Sequence, residues 1–199
     1  MSEPEEEGLR AEDELLTRAR SGDLDAIETI FNTYRNQVFS LAYRMTGNAS
    51  DAEDLTQEVF LQVMRKIGSF QGRSSFSTWL YRVTANRSRD YLRSRKRNPE
   101  ILTQDGEASE PREELQLGSV APAPESGAIA SDARRLVQEA LMELPLSLRA
   151  PLVLHELEGF EYHRVARMLR LPVGTVKSRI FRGRVKLAEL LEPHKEQWR

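Results

Sequence analysis

Apolar residues in this chain recur in steps of three and four, and nowhere do they alternate with period two over a useful length. That regularity argues against a sheet-based fold and predicts an all-α protein. A short helix is expected from Glu12 to Arg20, ended at Ser21-Gly22. Asp23 is placed to cap a long helix running to about Thr46, with Ile27, Ile30, Phe31, Tyr34, Val38, Leu41, Ala42 and Met45 inward and Gly47-Asn48 as the stop. Ser50 with Glu53 reads as a capping box. The helix it opens carries Leu55, Val59, Phe60, Val63, Met64 and Ile67 on one face. After the loop Gly68–Gly72, a further helix is expected from near Ser75 to about Arg95.

The pattern lapses between Asn98 and Ser131. Four of the nine prolines fall there, at 99, 111, 122 and 124, among many acids and no aromatic residue. Such a segment reads as a flexible linker. Helical periodicity returns at Ala133 and persists to about Leu191. The expected organisation is therefore a disordered acidic tail over 1–11, a helical domain over 12–97, a flexible acidic linker over 98–132, a second helical domain over 133–193 and a tail over 194–199. At about 3.3 Å per residue the linker has a contour of roughly 110 Å and a relaxed span of about 30–35 Å.

The formal net charge of -2 conceals unequal blocks. Residues 63–97 carry ten bases against Asp90 alone, and residues 161–187 carry eight bases against Glu161 alone. The linker between them carries eight acids against Arg112. Local potential, not the total, steers polyanions, so the near-neutral total does not argue against nucleic acid; two solvated helix faces would carry the same charge. The chain has no cysteine, which removes thiolate metal sites, cysteine nucleophiles and thiol switches. No uncharged run reaches the about 20 residues a spanning helix needs, and the acidic N-terminus is unlike a secretion signal, so neither membrane insertion nor export is expected.

Catalytic patterns fail one by one. His155-Glu156 begins a zinc-protease motif, but position 159 is Gly. Asp51, Glu53, Asp54 and Glu58 suggest a calcium loop, but Thr56 stands where glycine is needed. These acids suit a helix first turn instead. Asp51, Asp54 and Glu58 share a face opposite the apolar stripe, leaving an acidic surface for a basic partner. No phosphate loop occurs, and no enzyme activity, cofactor, metal or small-molecule substrate is expected.

Two surfaces carry recognisable chemistry. In the second domain, Tyr162, Val165, Ala166 and Leu169 give a short amphipathic helix, broken at Arg170–Gly174. The next helix, from Thr175, buries Val176, Ile180, Gly183, Leu187 and Leu190 and shows Thr175, Lys177, Ser178, Arg179, Phe181, Arg182 and Lys186. Two short helices, the second basic and hydroxyl-rich, propose a helix-turn-helix. Arginine reads guanine edges bidentately and lysine neutralises phosphate. In the first domain, Arg82, Asn86, Arg89, Arg93 and Lys96 step by four and three along one stripe beside Trp79, Tyr81 and the loop Ser69–Ser75. Bases interleaved with aromatics and amides suit unstacked, single-stranded nucleotides. Trp79 suits a core better than a stacking platform, and Phe70 and Phe76 are equally suited to a core.

Three stretches resemble the extracytoplasmic-function (ECF) group of bacterial sigma factors. Asp51-Ala-Glu-Asp-Leu-Thr-Gln-Glu-Val-Phe60 is similar to the group's polymerase-binding helix. Phe76-Ser-Thr-Trp-Leu-Tyr-Arg-Val-Thr-Ala-Asn86 is similar to its promoter-melting helix, and Pro172-Val-Gly-Thr-Val-Lys-Ser-Arg179 to its recognition helix. Leu144-Pro145 and Leu157-Glu158-Gly159 also fit. The resemblance covers about 12–97 and 133–191, in the group's order.

It implies a division of labour. Asp51, Asp54, Gln57, Glu58 and Leu61 would dock on core RNA polymerase. Phe70, Arg73, Ser74, Tyr81, Arg82, Asn86, Arg89 and Arg93 would hold the single-stranded -10 element, with a flipped base in the Ser69–Ser75 loop. Thr175, Lys177, Ser178, Arg179, Phe181 and Arg182 would read the duplex -35 element. An anti-sigma factor would silence the protein, the linker would follow the polymerase's nucleic-acid path, and the location would be cytoplasmic. His163-Arg164 stand where the group more often has acids, and the linker is long for the group. Two rivals are a helix-turn-helix activator that does not replace a sigma factor, which would bind duplex tightly without polymerase, and a helical nuclease, which would need carboxylates beside the basic stripe.

Overall fold

The computed structural model describes residues 3–72, 74–97 and 124–198. Every regular element among them is helical. In the N-terminal half these are α1 (Glu3–Arg20), α2 (Leu24–Thr46), α3 (Ala49–Lys66) and α4 (Phe76–Arg97). In the C-terminal half they are α5 (Pro124–Glu143), α6 (Leu146–Leu152), α7 (Tyr162–Leu169) and α8 (Val173–Leu191).

The long α2 starts and stops as its sequence requires. The Asp23 carboxylate accepts from the Asp25 and Ala26 amides, at 3.0 and 3.1 Å, which satisfies two orphan donors. Gly47, at φ 75, closes the far end and donates to the Tyr43 carbonyl. The cap of α3 falls elsewhere than expected. Asn48, not Ser50, accepts from the Asp51 amide at 2.9 Å, and Ser50 lies inside the helix. Asn48 lies two residues earlier in the chain, and its side-chain carbonyl reaches the amide three residues on, as an N-cap does.

Three boundaries also differ. The expected disordered tail is helical from Glu3, where acids in the first turns favour the helix dipole. Helix α5 opens at Pro124, inside the expected linker, because proline fits the first helical position, where no N–H is needed. Of that linker, residues 98–123 lie outside the described residues. The expected C-terminal tail continues as a 3-10 turn, Glu192–Trp198.

In the N-terminal half, Leu16, Ile30, Val38, Val59, Val63, Phe76 and Leu80 form one buried cluster. Phe70, Phe76 and Trp79 meet within it at centroid distances of 5.5–5.7 Å, tilted or edge-on. A second cluster joins the two halves. Leu41, Met45 and Ala85 from α2 and α4 pack with Leu141, Leu152, Leu154, Val165, Leu169 and Ile180. Arg149 pegs this junction. It is only 9% exposed, and its guanidinium donates to the Met45, Met142 and Leu144 carbonyls at 2.6, 2.8 and 3.0 Å. Burial pulls its pKa down, yet three carbonyls face the charge.

The path from α6 to α7 is irregular for a reason. Pro151 cannot donate to the helix, and a wider π turn, Val153–Leu157, follows it. Gly159, at φ 72, ends the turn, and the His155 ring nitrogen Nδ1 lies 2.7 Å from the Phe160 carbonyl oxygen. This geometry aims Glu158 and Phe160 back at the N-terminal half.

Candidate functional site

Helix α3 carries the acidic face, and the structure divides it. Asp51 pairs with Arg95, and Glu58 with Arg87 at 2.6 Å, both partners on α4. Tyr91 also stands against Asp51, and its phenol is pushed up to about 12 by burial and then by that carboxylate. The acidic face is thus not wholly free, because α4 packs alongside and supplies two arginines that the single-helix pattern did not reveal. Asp54 and Gln57 remain exposed, as does Leu61 at 52%. Met64 is exposed too, although the helical pattern had placed it in the core. Together with Leu24 and Phe31 it borders an apolar groove of about 260 Å³.

The loop between α3 and α4 is built on Phe70. Its ring is 8% exposed and lies among Phe76 and Trp79, and Arg20 donates to its carbonyl at 2.8 Å. Phe70 therefore does not present a face to a base, as the sequence reading had it; burial of its ring anchors the loop. Gln71, Gly72, Ser74 and Ser75 are exposed above it. Gly72 has φ 65, which suits a residue without a Cβ. Ser75 caps α4 through its hydroxyl, 3.3 Å from the Thr78 amide. Arg73 lies outside the described residues.

The stripe on α4 is split by packing. Arg82 and Arg93 are exposed, whereas Tyr81, Asn86 and Arg89 are half-buried. Phe160 packs edge-on against the Tyr81 ring at 4.8 Å, and Glu158 accepts from its hydroxyl at 2.7 Å. The Tyr81 phenol is pushed up to about 12, first by burial, with the Glu158 carboxylate adding to it. Arg89 lies with Nη1 3.5 Å from both the Asn86 Oδ1 and the Leu169 carbonyl. Burial, and then Arg93, lowers its pKa.

Helix α8 presents its surface openly. Val176, Ile180 and Gly183 turn inward, and a Cβ on Gly183 would stand 3.5 Å from the Leu148 carbonyl oxygen. Lys177, Ser178, Phe181 and Arg182 are exposed, with Phe181 at 65%; Thr175 and Arg179 are half-buried. Among the described residues none of Lys177, Arg179 and Arg182 has a carboxylate within ion-pair distance. The turn into α8 runs through Arg170, at φ 56, whose amide donates back to Ala166. Among the described residues no cluster of side chains fit to hold a metal ion occurs, and no helix is long and apolar enough to cross a membrane.

Two family models match this layout. One, described as Sigma-70 region 2, matches residues 30–98, which hold α3, the loop and α4. The other, Sigma-70 region 4, matches residues 134–187, which hold most of α5 through α8. The RNA polymerase sigma-H factor of Pseudomonas aeruginosa is 33% identical over 183 residues, 90% of this chain and 93% of that one. The ECF RNA polymerase sigma-E factor of Haemophilus influenzae is 35% identical over 182 residues, covering 90% and 94%. Among solved structures, the sigma factor RpoE of Bartonella quintana, in complex with the anti-sigma factor NepR, superposes with a TM-score of 0.61 at 26% identity, covering 83% of this chain and 96% of that one. Two sigma regions in order, in a helical frame that presents one basic surface from each, place this chain in the extracytoplasmic-function family of bacterial RNA polymerase sigma factors.

Proposed function

We propose that this sigma factor docks core RNA polymerase through Asp54, Gln57 and Leu61 on α3, with Met64 extending the apolar part of that face. Asp51 and Glu58 serve a different end: they hold α4 against α3, so that docking and promoter melting share one rigid unit. Arg82, Asn86, Arg89 and Arg93 engage the -10 strand, and the Ser69–Ser75 loop, exposed at Ser69, Gln71, Gly72, Ser74 and Ser75, receives an extruded base. Extrusion costs a few kcal/mol, so a loop already anchored by Phe70 is an advantage. Tyr81 lines the same face. On α8, Thr175, Lys177, Ser178, Arg179, Phe181 and Arg182 enter the major groove at -35. The chain's part is binding and placement, and the bond-forming chemistry is the polymerase's.

The observation that carries this reading is the pair of basic surfaces, one in each half, each lying within a matched sigma region. Between Arg97 and Pro124 lie 26 residues, whose contour of about 90 Å spans the roughly 68 Å between elements two helical turns apart. By likeness to the Bartonella quintana protein, crystallised with an anti-sigma factor, the same kind of protein inhibitor is expected here.

The test is transcription in vitro with core RNA polymerase on a fragmented genomic template, with and without this chain, and with start sites sequenced. Defined starts that share two upstream motifs are expected. An absence of starts, while a control sigma factor works, would overturn the reading in favour of an activator.

A further inference from the structure

The loop between α3 and α4 departs from Phe70, and a helix outside both matched sigma regions grips that residue. Helix α1 ends at Arg20, ahead of residue 30, where the region 2 match begins. Leu16 and Ala19 are buried and seat its last turns in the same cluster as Ile67, Phe70, Phe76 and Trp79. The turn that follows is tied down. The Asp23 amide donates to the Arg18 carbonyl at 3.2 Å, Gly22 takes φ 87, and Arg18 pairs with Asp23 at 2.8 Å. Helix α1 therefore stops at a fixed place, with Arg20 beside the loop.

Phe70 is held at three points. Its ring is in the core, its amide donates to the Ile67 carbonyl at 3.1 Å, and its carbonyl accepts from Arg20 Nη2 at 2.8 Å. The same guanidinium lies 5.7 Å from the Phe70 ring centroid, a cation–π distance. At the far end of the loop, the Trp79 amide donates to the Ser75 carbonyl at 3.2 Å. Between these ends Gln71, Gly72 and Ser74 are exposed, and among the described residues none of them hydrogen-bonds to the rest of the chain. Their course is set by the direction in which the chain leaves Phe70. Ring and amide fix Phe70 as far as its Cα. The remaining soft torsion, ψ at 113, turns the carbonyl and the peptide plane to Gln71, and Arg20 holds that carbonyl. A pocket for one unstacked base binds better the more of its shape is set beforehand.

We infer that Arg20 is a positioning residue for base capture: by holding the Phe70 carbonyl it sets the Ser69–Ser75 loop in its base-receiving shape, so that α1 takes part in reading -10. The inference rests on the base-extrusion reading of that loop above. It gives a role in promoter reading to a helix that the region 2 match does not include. Arg20 is itself exposed, and its partner is a carbonyl rather than a carboxylate, so truncating it removes no core packing and strands no buried charge.

The test uses holoenzyme assembled from core RNA polymerase and the full chain, wild type or Arg20→Ala. Each is titrated with a single-stranded oligonucleotide carrying the -10 motif shared by the sequenced starts, and with a set that is abasic at each position in turn. The position at which wild type loses most affinity marks the captured base. Arg20→Ala should bind the intact oligonucleotide roughly tenfold more weakly, the scale of one lost base contact, and should bind the one abasic at that position as tightly as wild type does. Its thermal melting should match wild type's. A loss of equal size on both oligonucleotides would overturn the inference. With a shallower salt dependence it would make Arg20 a phosphate contact, and with a fall in melting a residue of the fold alone. No loss on either oligonucleotide would overturn it as well, leaving base capture intact. If no abasic position weakened wild type, base capture itself would fall and the inference with it.

Discussion

Helices α4 and α8 are both long, basic and aromatic-bearing, but they hold their charges differently. On α4, Arg87 and Arg95 are neutralised by Glu58 and Asp51, Tyr81 and Arg89 touch the other half of the molecule, and Asn86 is half-buried beside Arg89. The aromatic residues near the start of α4, Phe70, Phe76 and Trp79, are core. On α8, Lys177, Phe181 and Arg182 stand in solvent, and Arg184, two residues beyond Arg182, pairs with Glu156 at 2.6 Å. A basic stripe in a sequence therefore states what a helix can bind, and packing decides when. One surface is ready in the free protein; the other is partly spent on structure.

That contrast breaks first, and most visibly, at the aromatics. Trp79→Ala should cost about 3–5 kcal/mol, since a large buried side chain is lost from a three-ring cluster. At roughly 2–4 °C per kcal/mol for a chain of this size, thermal melting should fall by about 6–20 °C. Phe181→Ala should leave melting within about 0.5 kcal/mol, as exposed positions do, while weakening duplex -35 binding. Equal thermal losses in the two variants would mean that α8 is not the open surface described above.

The second test separates the surfaces by what they read. Asn86→Ala and Arg182→Ala should each reduce promoter-specific transcription by roughly tenfold, the scale of about 1–3 kcal/mol for a lost base contact. The Asn86 variant should become insensitive to changes at -10 and keep its sensitivity to -35, and the Arg182 variant the reverse. Identical responses to both elements would undo the assignment of one surface to each half.

How far these surfaces could be read in advance depended on the range of the interactions involved. The helices and the inward face of α8 follow from local periodicity, and Val176, Ile180 and Gly183 are buried as their spacing requires. The Asp23 cap and the Gly47 stop are also local, and both stand. What was hidden is every pairing between helices. Asp51 and Glu58 resembled a free acidic face because Arg95 and Arg87 are 44 and 29 residues away in sequence. Phe70 was equally suited to core or loop tip until Phe76 and Trp79 were seen to enclose it. Glu158 was visible only as part of a family-like tripeptide. Its grip on Arg44 and Tyr81 depends on the π turn after Pro151, and hydrophobic spacing does not encode that irregularity.

The smallest expected effect probes the covered surface directly, through Tyr81. Its phenol is raised from 10.0 to about 12 by burial, with the Glu158 carboxylate adding to it. The folded state thus keeps the proton to a higher pH than the unfolded state does. Below about pH 10 both states are protonated and the group adds no pH dependence; between about 10 and 12 the unfolded state holds fewer protons, so stability falls as pH rises. Tyr81→Phe removes that ionisation, and its loss of stability across the same window should be shallower than wild type's. A rapid pH-jump titration at the tyrosinate absorbance, with the Tyr81→Phe trace subtracted, isolates this residue from Tyr34 and Tyr91, which are also raised. A difference trace centred well above 10 means that Phe160 and Glu158 cover the ring in solution. One centred near 10 would place Tyr81 in water, and α4 would then be as open as α8.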